Sequence, residues 1–178
     1  MSRVVATLGV VCVCVCAAAD DRAEPKPNSN ALVKQHRDKL KVAASSFWAG
    51  WPAEYVIDGK KAKSWFTAKD DTVTQKKKPW VQVEFPAEVE VRRVTVWGNQ
   101  EPPWEKGYAF LAGRLDLLDA EGKVLDSDEQ DGNGPVRDFD FVFKKPVAKV
   151  RAVKFTALGD EGNKNPYTDV AVGEIEIE

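Results

Sequence analysis

Apolar and polar positions alternate in short bursts along this chain. Val81, Val83 and Phe85 alternate with Gln82 and Glu84, and Val94 and Val96 repeat the pattern after Arg92 and Arg93. A period of two marks a strand with one face in water. Pro86, Glu88 and Glu90 read as a polar connection between these two strands. Phe139, Phe141 and Phe143, spaced by Asp140 and Val142, make the clearest strand of all. Residues 42–46, 108–118, 150–158 and 170–177 have strand character, and 123–125 pairs with 108–118 across the turn at 119–122. Residues 31–40 make either a short helical turn or an extended lead-in. Loops fall at 47–52 (FWAGWP), at the Asp58-Gly59 turn, at 67–78, at 101–107 (EPPWEKG) and in the acidic, flexible stretch 126–134. About eight short strands with no long helix and no internal repeat predict an all-β, antiparallel β-sandwich.

The first residues do not belong to that pattern. Arg3 is followed by an apolar run over 4–16 and then by Ala17, Ala18 and Ala19. This is the order of an export signal, expected over 1–19, with a run too short to make a stable membrane span. Residues 20–41, which include Pro25, Pro27, Asn28 and Ser29 among charges, read as a flexible or weakly ordered lead-in to a domain over 42–178. All three cysteines, Cys12, Cys14 and Cys16, lie in the signal, so cleavage after Ala19 leaves a chain without disulfide or thiolate chemistry. Lipid attachment asks for a small residue before the cysteine, and Cys16 follows Val15. The expected location is therefore secreted, periplasmic or at the cell surface.

Charge and composition narrow the function. The 26 Lys and Arg against 28 Asp and Glu leave a net charge of −2, without the basic excess that nucleic-acid binding needs. The acidic stretch 126–134 is not an EF-hand loop: with Gly132 sixth, Ser127 is first and no Glu falls twelfth. The single histidine, His36, precedes the domain, and no Gly-x-Ser-x-Gly or phosphate-cradling glycine loop occurs. Two carboxylates would suffice for a glycosidase, but the acidic residues alternate on strand faces or crowd in turns, where solvation is their ordinary role. A non-catalytic binding domain is the expectation. Its candidate contacts are aromatic: Trp48 and Trp51 in one loop, Trp104 and Tyr108 in another, with Asn99 or Gln100 to hydrogen-bond hydroxyls. Exposed rings of this kind stack on sugar; buried, they close the ends of a sandwich as core.

In order, Ala44-Ser45-Ser46, Val56-Ile57-Asp58-Gly59 with Trp65, the 79–85 stretch PWVQVEF, Val94-Thr95-Val96-Trp97, the 150–155 stretch VRAVKF and the 172–177 stretch VGEIEI resemble the discoidin, or coagulation factor 5/8 type C, family. The resemblance covers 42–178 and implies a galactose-binding-like jelly roll that binds carbohydrate, an extracellular glycan or a partner protein, rather than a catalyst. It also implies a calcium site using an Asp-Gly turn, a Thr and a Glu of the last strand. Asp58 and Glu174 match, but Lys60 and Lys63 stand at the other positions, and calcium wants roughly six to eight oxygens. The expectation is no cofactor, with the Lys63 ammonium either between Asp58 and Glu174 or in solvent. The His and Arg that galactose-binding members use are missing from the domain as a set, which leaves the aromatic rings. The alternative reading is a protein-interaction or structural domain of an extracellular or envelope assembly.

Overall fold

The structure is a computed structural model and describes residues 30–178. The expected export signal, the three cysteines and most of the proline-containing tether lie outside the described residues. Among the described residues there are seven strands: β1 (Lys41–Ala44), β2 (Trp65–Phe66), β3 (Trp80–Gly98), β4 (Phe110–Leu118), β5 (Val124–Asp131), β6 (Phe139–Asp160) and β7 (Ala171–Ile177). They hydrogen-bond in the order β2-β7-β3-β6-β4-β5, with β1 on β3, and every pairing is antiparallel.

Two of these strands serve both layers of the sandwich. The segments around Val81 and Val94 are halves of the one 19-residue strand β3, and those around Phe141 and Phe155 are halves of the 22-residue β6. The polar stretch expected to be a loop stays in the ladder through Val89↔Val150 and Val91↔Val147, with register shifts between Glu84 and Arg93. Pro86, which has no N–H to give, sits at this bulged bend. The ribbon then folds over. Phe139 and Phe155 belong to the same strand, and a straight strand would hold them roughly 50 Å apart. Their ring centroids are 5.0 Å apart.

The core lies in that fold. Val81, Val83 and Phe85 face Phe139, Phe141 and Phe155 from β6, with Leu115 and Leu117 from β4 and Ile175 and Ile177 from β7, all buried. Phe155 touches Phe110, Phe139 and Phe141. Gly113 is where β4 crosses this ring, and a Cβ there would stand 2.3 Å from two of its atoms. The acidic stretch expected to be flexible is instead largely the edge strand β5. Its side chains are mostly exposed, and its backbone completes the ladder with β4, so charge on both sides costs it nothing and discourages further pairing.

Order also begins before the expected domain start. Ala31–His36 forms a helix, α1, with Val33 only 2% exposed and His36 edge-on to Phe85. The side chain of Asn30 accepts a hydrogen bond from the Ile177 amide at 3.4 Å. Gly113→Ala is expected to destabilise the domain by about 1–3 kcal/mol through overpacking. Urea unfolding would show a lower midpoint at unchanged slope, and an unchanged midpoint would mean that the Phe155 ring can move aside.

Candidate functional site

The strand ends opposite the fold-over carry three loops. In the first, Gly50 takes φ +95°, so the chain turns tightly and Trp48 and Trp51 form an isolated antiparallel bridge. The amide of Trp48 donates to the Phe66 carbonyl at 2.9 Å, which anchors this loop to β2. Ser45 Oγ donates to Asp71 at 2.7 Å, and Ser46 Oγ accepts from the Ala68 amide at 2.9 Å. The second loop, 101–109, presents Trp104 and Tyr108, and the third, 165–169, presents Tyr167 and Asp169. Asn165 joins the last two: its side-chain amide donates to the carbonyls of Gly107 at 2.7 Å and Asp169 at 2.8 Å.

Together these loops form an open pocket of about 150 Å³, lined by Trp48, Trp51, Phe66, Trp104, Tyr108 and Tyr167, with Asp169. The rings meet edge to face: Trp48 with Tyr167 at 5.5 Å, Tyr167 with Trp104 at 6.5 Å, Trp104 with Tyr108 at 6.1 Å, and Trp51 with Phe66 at 5.8 Å. Such contacts hold each ring in place at the rim and wall of the pocket. A cavity of about this size admits one six-membered ring. Asp169 is 4% exposed and its Oδ1 has no hydrogen-bond partner. Burial pushes its carboxyl up to about 6, and burial likewise pushes the Tyr108 hydroxyl up.

Four of the six residues singled out by sequence, Trp48, Trp51, Trp104 and Tyr108, line this pocket; three are half-buried and Tyr108 is buried. Asn99 and Gln100 do not line it. Asn99 is 2% exposed and spends its side chain on the protein: Oδ1 accepts from Ser64 Oγ at 2.7 Å and the Glu101 amide at 3.0 Å, and Nδ2 donates to the Trp104 carbonyl. Glu101 continues the clamp, accepting from Trp51 Nε1 and from the Ser64 amide, both at 2.7 Å. Asn99 therefore sets where the rings stand. Phe66, Tyr167 and Asp169 went unnoticed in the sequence. Tyr167 carried a signal, an aromatic residue in the polar 163–168 stretch NKNPYT. Asp169 carried none, because its burial is a product of tertiary packing.

At the Asp58-Gly59 turn, the Lys63 ammonium does not bridge Asp58 and Glu174. It stands 4.7 Å from the centroid of the Tyr55 ring, where an exposed cation keeps its water. Glu174, 1% exposed, accepts from the Gly59 amide at 3.0 and 3.2 Å, and Asp58 Oδ1 accepts from the Lys60 amide at 2.7 Å. The Arg37 guanidinium donates to the carbonyls of Ile57 and Asp58. Burial, with help from Asp58, pushes the Glu174 carboxyl up to about 8. The oxygens of this turn accept from backbone N–H donors and from the Arg37 guanidinium. Among the described residues no group of three or more His, Cys, Asp or Glu is placed to hold a metal ion.

A family model for the F5/8 type C domain matches residues 41–171. No curated protein matches the chain in sequence. Among solved structures, the chain is similar to the lectin domain of lectinolysin complexed with Lewis B antigen (TM-score 0.61, 16% identity, 79% of this chain and 92% of that one). It is also similar to the family 32 carbohydrate-binding module of C. perfringens NanJ in complex with galactose (TM-score 0.61, 14% identity, 80% and 95%). A third is a Streptococcus pneumoniae fucose binding module (TM-score 0.58, 10% identity, 79% and 93%). At these identities the likeness is one of fold.

Both raised carboxyls bind protons more tightly in the folded than in the unfolded chain, so their protonation stabilises the fold. That contribution is full below about pH 4 and is lost as pH rises toward about 6 for Asp169 and about 8 for Glu174. Melting temperature is expected to fall as pH is raised from 5 to 8, and Glu174→Gln to flatten the upper part of the slope. A profile that rises over this range would contradict the burial of both groups.

Proposed function

The chain belongs to the F5/8 type C domain family, and from that premise we propose that it is a non-catalytic carbohydrate-binding module that seats a sugar ring in the end pocket. The observation that carries this reading is the set of aromatic side chains, with Trp48, Trp51 and Trp104 half-buried and Tyr167 exposed, around an opening of one-ring size. The C–H face of a pyranose stacks on indole and phenol rings, while a few polar groups fix its orientation. The ligands named for the similar structures, Lewis B antigen, galactose and fucose, support carbohydrate as the class. On this reading Trp48, Trp104 and Tyr167 supply stacking faces, Trp51 is a wall held by Glu101, and Asn99 positions the Trp104 loop.

The opposing reading, a protein-interaction or structural domain, expects these rings sealed inside and an apolar patch on a sheet face. The rings lie at an open pocket, and Tyr167 among them is exposed. The 1–19 segment supports export, and no helix among the described residues is long and apolar enough to cross a membrane. We propose further that no calcium is required.

A glycan array with the chain lacking residues 1–19 tests the reading. Retained glycans are expected, and no retention by a folded protein would overturn it. Trp48→Ala and Trp104→Ala are each expected to cost about 2 kcal/mol of affinity, roughly thirtyfold, without moving the denaturation midpoint. Addition of calcium is expected to leave the melting temperature unchanged, and a rise of several degrees would restore a metal to the turn.

A further inference from the structure

The pocket contains one group that a neutral sugar does not explain. Asp169 is 4% exposed, lines the pocket, and has an Oδ1 without a hydrogen-bond donor. A buried acceptor left unpaired costs about 1–3 kcal/mol, and more when it is charged. Among the described residues no lysine, arginine or histidine forms an ion pair with it: the nearest cationic side chain in sequence, Lys164, pairs with Glu161 at 2.8 Å. Asn165 satisfies the Asp169 carbonyl and leaves the carboxylate alone. Trp48, Trp51, Trp104, Tyr108 and Tyr167 line the same pocket as Asp169, and their faces carry the negative end of a ring quadrupole.

An aromatic enclosure with one desolvated carboxylate has the chemistry of a cation receptor. The rings attract an ammonium through its C–H and N–H surface, by up to about 2 kcal/mol for a desolvated pair, and the carboxylate supplies the missing counter-charge. We propose that the pocket takes an organic ammonium, which, resting on the carbohydrate reading above, is the free amino group of a 2-amino sugar unit. The carboxyl, held at about 6, is mostly ionised at pH 7 and needs no proton release to accept that partner. The Tyr108 phenol, pushed up by burial, keeps its proton there and is free to donate to sugar hydroxyls.

Calorimetric titration at pH 7 with the glucosamine trisaccharide, the N-acetylglucosamine trisaccharide and choline tests this. The free-amine trisaccharide is expected to bind at least about tenfold more tightly than its acetylated counterpart. Asp169→Asn, which keeps the shape and removes the charge, is expected to abolish that preference. Equal binding of the two trisaccharides, or preference for the acetylated one, would overturn the inference while leaving a carbohydrate-binding module standing. A preference that survives in Asp169→Asn would overturn the role given to Asp169. Choline bound with neither saccharide would support the ammonium site and sink the sugar reading; no binding by any of the three would sink both. Should the variant not fold, the preference of the unaltered chain decides.

Discussion

Strands β3 and β6 pair with each other on both sides of a bulged middle, and their shared bend is the constraint on which the molecule rests. The ladder pairs Val81 with Phe155 in one layer and Val94 with Phe141 in the other. One pair of strands thereby fixes both the separation of the layers and their relative register. The bulges near Pro86 let the ribbon turn without losing its backbone pairing, since an extra residue on one strand bends and twists it locally. Phe155 occupies the space this creates, and Gly113 is the concession the neighbouring strand makes to it.

Because the ribbon turns back, the outer ends of both its strands arrive at the same end of the sandwich. The loops there are joined by polar groups that are paired: Asn99 to Ser64, Glu101 and Trp104, and Glu101 to Trp51 and Ser64. A buried amide that makes its bonds rigidifies what it touches, since breaking any one of them strands a donor or acceptor in a low-dielectric place. The aromatic residues are held from behind by this clamp. Asp169, on the opposite loop, is the exception, a carboxyl buried without a donor to its Oδ1. The contrast is between a saturated scaffold and one unsaturated carboxyl that lines the pocket.

Glu174 shows the same physics in another setting. Its carboxyl is buried and lies near Asp58, so its proton is held more firmly than that of a solvated glutamate, and the Gly59 amide it accepts offsets only part of that. The turn at Asp58-Gly59 is pinned by N–H donors and by the Arg37 side chain just beyond the short N-terminal helix. The lead-in thus contributes to the folded unit through Val33 against the core and Arg37 against this turn.

Strand character, the sandwich class and four of the pocket residues were readable from the chain alone. Alternation in Val81-Val83-Phe85 or Phe139-Phe141-Phe143 is a local property, imposed by a backbone whose side chains point to opposite faces in turn. The continuity of β3 and β6 was not readable, because polar residues at 86–90 look alike whether they loop out or stay in a solvent-facing ladder; cross-strand pairing decides that. The edge strand β5 was hidden for the same reason. Trp48 and Trp104, in Gly- and Pro-broken loops, could be read either as stacking rings or as core closing the sandwich ends, and only chain closure placed them at one pocket. Asn99 was expected to contact a ligand and Asp169 was not singled out, although both are polar residues near strand ends. Packing turned one inward as a fully bonded brace and left the other buried at the pocket without a partner, because burial and hydrogen-bond satisfaction belong to the assembled end of the sandwich and not to any stretch of sequence.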